Sequence, residues 1–377
     1  MDNKIIGSTE KLMLEAIRLA GSVNRRVCPN PRTGALVLRN GEIIGRGFHA
    51  NCGGPHAEVN AIRDAGENLK GCEMLVTLEP CCHTGKTPPC TDLIIASGIK
   101  KVIIGMEDPN PQVAGKGICQ LQAAGIEVVS NVLADECAEL NQPFIKMMTE
   151  NFPYIIVKSA ITLDGYIADE QGQSKWISSA ESRKTVHEMR ANADAVLVGV
   201  GTVLADDPEL TVRDAEGEHP LRVVYDPEGV LPDRLKMIQS AKEISTTIIT
   251  GPHSTPVWKF NMRQKGVELI ETDKFGKQGL EDGLRKLGQQ GVQSILVEGG
   301  GRLQSQLAEL GCIDCVEIFM AAKLIGKGIR MMEIPTRPMD KAMEFTESTW
   351  KQSGPDIRFT GIINKYKVGN GLDHPEG

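Results

Sequence analysis

Gly54-Pro55-His56-Ala57-Glu58-Val59-Asn60-Ala61-Ile62-Arg63, then Leu78-Glu79-Pro80-Cys81, then Pro88-Pro89-Cys90, decide the fold of the first half of the chain. Pro55 precedes a run with helical spacing, so the segment from His56 to Arg63 reads as a helix with His56 in its first turn. Met74 to Leu78 is apolar and β-prone and ends at Glu79-Pro80, as a strand does. Cys90 closes a Pro-Pro-Cys segment and opens a helix over Thr91 to Ala96, where the dipole favours a thiolate. One imidazole and two thiolates leave the fourth tetrahedral position on a Zn²⁺ ion open, which suits a catalytic rather than a structural site. Such an ion lowers the pKa of its water to about 7. Glu58, two residues after the histidine, is then placed to take the proton of that water and return it.

His-x-Glu followed by Pro-Cys and a further Cys is the order found in zinc-dependent base deaminases. Neither piece is informative alone. One His-x-Glu is common, and a Cys pair is cheap in a chain with 10 cysteines. Cys82 is the rival ligand to Cys81, which is preferred because it directly follows Pro80. The general signature places two residues between the cysteines. Here eight intervene, Cys82-His83-Thr84-Gly85-Lys86-Thr87-Pro88-Pro89, a loop whose His and Lys suit a polar or phosphorylated substrate. Pro29-Asn30-Pro31 is a rigid segment able to aim the Asn30 amide at a base edge. His49 could face the same pocket. Taken singly, Asn30 reads as a turn residue and His49 as a surface histidine.

The 377 residues are 41% hydrophobic and 4% aromatic, with 40 glycines, the profile of an α/β protein with two or three domains. The net charge of -7 and the lack of a basic run argue against nucleic acid. The polar start has no apolar core of a signal peptide, and no run approaches the ~20 residues of a membrane span. A cytoplasmic protein with reduced thiols is the expectation. Cys312-Ile-Asp-Cys315 looks like half a zinc knuckle. It has no partner ligands nearby in sequence and reads as structural.

In the first half, Glu10 to Ala20 reads as a helix. Ala35 to Leu38 and Glu42 to Ile44 form a hairpin about Asn40-Gly41. Lys101 to Gly105 and Ile126 to Val129 are strands. A boundary near Asn151-Phe152-Pro153 gives domains of 1–150 and 151–368, with a frayed tail over 369–377. Strands are expected at Tyr154–Lys158, Ala195–Val198, Arg222–Tyr225, Thr246–Thr250, Val267–Ile270, Ser294–Val297, Val316–Met320 and Thr360–Asn364. Alternation of strands with helices gives layered α/β sheets. Ser294-Ile-Leu-Val-Glu298-Gly-Gly-Gly301-Arg302 runs from a strand through glycines into a helix over Leu303 to Leu310. This is either a phosphate-binding helix start or a plain tight turn. It is not a dinucleotide fingerprint, and Gly199-Val-Gly201 lacks a third glycine. Arg190 and Arg213 are candidate phosphate ligands whose ordinary alternative is solvated surface charge. Trp176 is either core or a stacking face for a nicotinamide ring.

Asn30 between prolines, His56-Ala-Glu58, Leu78-Glu-Pro-Cys81, Gly85-Lys86-Thr87-Pro-Pro-Cys90 and Asp108-Pro-Asn110-Pro111 resemble the deaminase half of the bifunctional deaminase–reductase family of riboflavin biosynthesis. Lys158 to Arg213 and Glu298 to Gln306 resemble its reductase half. The resemblance runs from about residue 10 to 365. It implies a cytidine-deaminase-like α/β/α domain followed by a dihydrofolate-reductase-like α/β domain. The first substrate it implies is 2,5-diamino-6-(5-phosphoribosylamino)pyrimidin-4-one, a phosphorylated pyrimidine that loses its ring amino group as ammonia. NADPH-dependent reduction of the ribosyl group of the deaminated product follows, with hydride delivered to C1 of the open-chain imine. His56, Cys81 and Cys90 would hold zinc, with Glu58 moving protons and Asn30, His49, His83 and Lys86 at the substrate. In the reductase half, Ser174, Arg190, Leu210, Arg213 and Glu298 would meet substrate. Ala160, Trp176, Thr202, Asp206, Gly300, Gly301, Arg302, Leu303, Gln304, Ser305 and Gln306 would meet NADPH. Lys158 would act as an electrostatic or proton-relay group. A homo-oligomer is implied as well. Two positions depart from the family pattern, which has Met-Val at Arg32-Thr33 and Ser at Cys82. Two rivals are weighed beside this: a nucleic-acid base deaminase with an accessory domain, and a zinc-stabilised nucleotide sensor in which Glu58 would be dispensable.

Overall fold

The structure, a computed structural model, describes residues 7–22, 27–66, 68–84, 88–111 and 113–367, and the backbone of 371–373. Two compact units are present, Met1–Glu150 with Tyr366–Leu372, and Asn151–Lys365 with Asp373–Gly377.

The first unit is built on a five-stranded sheet of β1 (Gly34–Arg39), β2 (Glu42–Phe48), β3 (Glu73–Leu78), β4 (Lys101–Met106) and β5 (Glu127–Val129), in the order β2-β1-β3-β4-β5. The β1–β2 hairpin and the β1–β3 pair are antiparallel, and β3, β4 and β5 run parallel. Asn40 and Gly41 both take positive φ, 50° and 81°, as a two-residue hairpin turn of matching twist requires. Ala35, Val37, Met74, Val76, Val102 and Ile104 alternate along their strands. They form one apolar face packed by Ala57 and Ala61 of α2 (Ala57–Ala65), Ile94 of α3 (Cys90–Ser97) and Leu121 of α4 (Lys116–Ala123). α1 (Ser8–Gly21) packs against β1 and β3, and α5 (Ala134–Leu140) against β4. A further helix, α6 (Gln142–Glu150), carries Phe144. His56 is the residue that caps α2 rather than a member of its first turn, one position short of the sequence reading.

The second unit holds a nine-stranded sheet in the order β11-β10-β9-β8-β12-β6-β13-β16-β15. Its parallel part comprises β6 (Tyr154–Thr162), β8 (Ala195–Gly199), β9 (Leu221–Tyr225), β10 (Thr246–Thr250), β11 (Glu268–Glu271), β12 (Ser294–Val297) and β13 (Cys315–Ala321). Antiparallel β16 (Asp356–Ile362) and β15 (Glu347–Ser353) complete one edge. The short strands β7 (Tyr166–Asp169) and β14 (Gly328–Arg330) pair separately. Every residue of β10 and β12 is buried, because parallel strands are covered on both faces. On one face Ile155, Leu197, Val223, Ile249 and Ile295 meet α11 (Gly276–Gln289) and α12 (Gly301–Glu309). On the other, Val196, Val224, Ile248 and Leu296 meet α8 (Val200–Asp206), α9 (Lys236–Gln239) and α10 (Pro256–Gln264). α7 (Ala180–Asn192) is capped by Ser179, whose side chain accepts from Ser182 N. The last expected strand, Thr360–Asn364, lies earlier, at Asp356–Ile362, where it pairs with both β13 and β15.

The placement of α2 depends on glycine. A Cβ at Gly47 would lie 2.2 Å from Ala57 O and 2.3 Å from Ala61 N, and one at Gly45 would lie 2.4 Å from Ala61 O. These are backbone atoms that cannot step aside without moving the helix. Gly47→Ala is therefore expected to cost about 1–3 kcal/mol by overpacking. It should also lower zinc retention, because the displaced helix begins next to His56. Urea unfolding and metal content per chain are the measurements.

Candidate active sites

In the first unit, three segments end at one place. α2 begins after His56, β3 ends just before Glu79-Pro80-Cys81, and Cys90 is the first residue of α3. The His56 Nδ1 lies 3.6 Å from Cys81 Sγ and 3.3 Å from Cys90 Sγ. All three donor atoms fall within 4.8 Å of one another, and this is the one such cluster found among the described residues. Zinc bonds of ~2.0–2.1 Å to nitrogen and ~2.3 Å to sulfur at a tetrahedral angle put the two donors about 3.6 Å apart. The geometry therefore fits the ion, and three protein ligands leave a fourth position for a reactant. Cys81 is drawn down to about 4, first by the Cys90 thiol hydrogen bond and, against the cost of burial, by His56. Cys90 is correspondingly raised, by its bond to Cys81 and by burial. Two thiols sharing protons in this way are poised for a cation to displace them. Cys82 stands outside the cluster, and burial raises its thiol.

Glu58 lies in the first turn of α2, 4% exposed. Burial raises its carboxyl, which suits a group that must both accept and return a proton. A cavity of about 280 Å³ opens above it, lined by Asn30, His49, His56, Glu58, Cys81 and His83 among others. His49 is 2% exposed and so is not a surface histidine. Its Nδ1 meets Pro55 O at 2.9 Å and its Nε2 meets the Asn30 amide nitrogen at 2.9 Å. Donation to the carbonyl leaves Nε2 as the acceptor for Asn30. Burial lowers its pKa, so the neutral ring orients the amide. Lys86 lies outside the described residues.

Sequence reasoning assigned no role to Asp108, Asn110 or Phe144, all of which line the cavity. Asp108 is pushed up to about 7 by burial, and its Oδ1 accepts from Asn110 N. The signal was present in Asp108-Pro-Asn110-Pro111 at the end of a strand. Glu79 likewise does more than end a strand. Its carboxylate accepts from Asp108 N, Gly115 N and Ile118 N, tying the loop after β4 to the strand that carries Cys81.

In the second unit, Arg190 of α7 is not the solvated surface charge that its ordinary reading suggests. Its side chain is 12% exposed. The Nε and Nη2 donate to the two carboxylate oxygens of Glu298 at 2.5 and 3.0 Å, and Nη1 donates to Thr211 O. Lys158 Nζ stands 3.8 Å from Glu298 Oε2, the oxygen that also accepts from Arg190 Nη2. Burial works to raise the Glu298 carboxyl, but Arg190 and then Lys158 outweigh it, and the pKa is lowered. The Lys158 ammonium is lowered by burial, with Arg190 adding to the effect. Arg213 is exposed and pairs with Glu209 at 3.0 Å, Leu210 is buried, and Ser174 is half-buried.

The glycine segment leads into α12, which no side chain caps. Gly300 N donates to Thr202 Oγ1 at 3.1 Å, and a Cβ at Gly201 would meet nothing within 4 Å. An uncapped helix start beside an open glycine is a cradle that fits the phosphates of NADPH. Asp206 pairs with Lys175, and Ala160 is half-buried on β6. Trp176 is 63% exposed with the Arg183 guanidinium 4.4 Å over its ring, which decides against a core role. Gly301, Arg302, Ser305 and Gln306 are at least partly exposed. Leu303 and Gln304 differ. Leu303 packs in the core, and the Gln304 amide is engaged by Ser159 and Gly299 O. Only their backbone remains for a cofactor. Cys312 and Cys315 belong to no metal cluster among the described residues, and Cys315 is buried.

Comparison with known proteins agrees with this division. Residues 7–106 match the model of the cytidine and deoxycytidylate deaminase zinc-binding region, and residues 153–359 match that of the RibD C-terminal domain. The riboflavin biosynthesis protein RibD of Aquifex aeolicus is 41% identical, the alignment covering 91% of this chain and 95% of the relative. That of Escherichia coli is 37% identical, over 92% and 97%. A diaminohydroxyphosphoribosylaminopyrimidine deaminase/5-amino-6-(5-phosphoribosylamino)uracil reductase from Thermotoga maritima has a crystal structure that superposes with a TM-score of 0.83. It is 40% identical and is covered to 98%, against 94% of this chain. Both units are mixed α/β, a cytidine-deaminase-like domain followed by a reductase domain of dihydrofolate-reductase type. The chain belongs to the RibD family of bifunctional riboflavin-biosynthesis enzymes, which join a zinc-dependent deaminase to an NADPH-dependent reductase.

Proposed function

We propose that the domain spanning 1–150 removes the ring amino group of 2,5-diamino-6-(5-phosphoribosylamino)pyrimidin-4-one. The domain spanning 151–368 then reduces the ribosyl group of the resulting 5-amino-6-(5-phosphoribosylamino)uracil to ribityl; within the stretch expected to fray, Gly371–Asp373 is instead a strand paired with Lys365–Lys367. The carrying observation is the convergence of His56, Cys81 and Cys90 beneath a cavity floored by a buried Glu58. Zinc held there would lower the pKa of a water to about 7. Glu58 takes the proton of the attacking water and delivers it to the ring nitrogen and the departing ammonia. Asn30, fixed by His49, addresses the base edge, and His83 and Lys86 meet the ribose phosphate.

In the reductase domain NADPH supplies the hydride. Thr202, Asp206, Ala160, Trp176 and the segment Gly300 to Gln306 hold it, Leu303 and Gln304 through their backbone. Ser174, Arg190, Leu210, Arg213 and Glu298 form the substrate side. Arg190 acts there by holding Glu298, to which two of its N–H groups donate while a third donates to Thr211 O. Lys158 stabilises charge at the reacting carbon or relays a proton to it.

The partners are small molecules. No helix among the described residues is long and apolar enough to cross a membrane, and the charge of -7 does not favour nucleic acid. A cytoplasmic location is supported by Cys81 and Cys90, whose proposed role as metal ligands needs reduced thiols. A homo-oligomer is supported by the edge strand β15, exposed from Glu347 to Gln352, and by its own Trp350, 62% exposed. An edge strand paired on one side only, with an exposed indole on it, suits a second copy.

Three outcomes are expected. Zinc-loaded protein should release ammonia from the diaminopyrimidine without NADPH and should oxidise NADPH, read at 340 nm, only after that release. Glu58→Gln should keep its zinc, lose at least about 100-fold in ammonia release, and still reduce the deaminated compound when it is supplied. Failure to release ammonia with zinc bound stoichiometrically in the unsubstituted protein would sink the deaminase reading. Arg190→Met leaves a buried Glu298 facing Lys158 alone. It should lower stability by about 3–5 kcal/mol, measured by denaturant unfolding.

A further inference from the structure

The segment Asp207–Arg213 of the reductase domain has no regular structure, and two of its residues, Asp207 and Leu210, hold positive φ of 42° and 53°. A leucine in the left-handed region is strained, and such a conformation persists only where its surroundings fix it. No strand supplies those constraints here. Three successive backbone groups are instead taken by side chains. Thr211 O accepts from Arg190 Nη1 at 3.0 Å. Val212 N donates to His219 Nδ1 at 3.2 Å, and Arg213 N donates to His187 Nδ1 at 3.3 Å. His187 is one helical turn before Arg190 on α7, so one face of that helix holds both Glu298 and this segment.

We propose that His187 is a positioning residue of the reductase, accepting the Arg213 amide through an unprotonated Nδ1 so that Leu210 to Arg213 is held in its substrate-binding conformation, with His219 as the second clamp. The proposal rests on the reductase reading above. The tautomer follows from the partners. Nδ1 accepts, so the proton sits on Nε2, which faces Asp214 Oδ2 at 3.5 Å. An imidazolium carries protons on both nitrogens and would set N–H against N–H. The groups facing the ring are Arg190, Arg213, Asp214 and Glu298. Burial, followed by the two arginines, lowers the His187 pKa, and Asp214 and Glu298 do not reverse it. The clamp is accordingly intact at neutral pH and is lost as pH falls below the ordinary histidine value.

The test uses the full chain with NADPH and 5-amino-6-(5-phosphoribosylamino)uracil. Ammonia release from the deaminase substrate by the same preparations serves as the control for folding. His187→Leu removes the acceptor, and KM for the uracil is expected to rise about tenfold with kcat changed less than about twofold. His187→Asn places an amide oxygen near the Nδ1 position and cannot titrate, so it should recover most of the KM. It should also flatten the acid limb of kcat/KM that the unsubstituted protein shows. A KM within about twofold of the unsubstituted protein in His187→Leu, or an acid limb that persists unchanged in His187→Asn, overturns the proposal. If His187→Leu does not fold, the acid limb in His187→Asn decides alone. Absence of NADPH oxidation in the unsubstituted protein would instead overturn the reductase reading on which the proposal stands.

Discussion

A soft cation bound by one imidazole and two thiolates needs three side chains to converge from different directions with about 3.6 Å between donors. The architecture of the first unit follows from that demand. His56 is placed by the start of α2, Cys81 by the end of β3, and Cys90 by the start of α3. Each ligand thus lies at the terminus of an element packed on the same sheet face, so their separation is set by core packing and not by a flexible loop. α2 can lie close enough only because Gly45 and Gly47 of β2 offer no Cβ to its backbone. Glu79 adds a second constraint. By accepting three amide protons from the loop after β4 and the start of α4, it fixes the cavity wall bearing Asp108 and Asn110 to the strand that delivers Cys81.

The second unit solves a different problem, the burial of charge. Glu298 follows the end of β12, buried between Arg190 and Lys158. Burying a lone carboxylate is costly, and the bidentate guanidinium offsets the cost with two charge-assisted bonds. A second cation within 4 Å of the same carboxylate is more than neutrality requires. The arrangement leaves Lys158 with part of its desolvation uncompensated, consistent with its lowered pKa. A buried lysine in that condition gives up a proton more readily than one on the surface. The strained Leu210 segment is tied to the same arginine, so charge burial and loop conformation share one anchor.

Much of this was legible in the sequence, for reasons that can be stated residue by residue. The clustering of His56, Cys81 and Cys90 was readable because residue type and order carry the chemistry. The parallel strands were readable because burial on both faces writes them as unbroken apolar runs, as in Ser294–Val297. β15 was not readable. Glu347–Ser353 is exposed from Glu347 to Gln352 and is held by backbone pairing to β16, which leaves no apolar pattern. His49 was undervalued because a single histidine carries no sign of burial. The alternation of buried Gly47, exposed Phe48 and buried His49 along a strand end was the available clue. Arg190 could not be told from a surface arginine, since its partner Glu298 lies 108 positions away. Leu303 and Gln304 are cofactor contacts only by the resemblance, and the inward turn of both side chains follows from helical periodicity.

Both sites lie where parallel strands end and helices begin. Cys81 and Asp108 follow β3 and β4, and Glu298 and the Gly300–Gly301 turn follow β12. At such positions the strand's last residues are fixed by their neighbours on either side, while the following helix presents unpaired N–H groups. The two units use those donors differently. In the first, the protein's own Glu79 fills the start of α4, so the donors there serve rigidity. In the second, no side chain caps α12, and Gly300 N just before it donates to Thr202 Oγ1. A single local geometry therefore serves as an internal brace in the first unit, while in the second it is left without a side-chain cap.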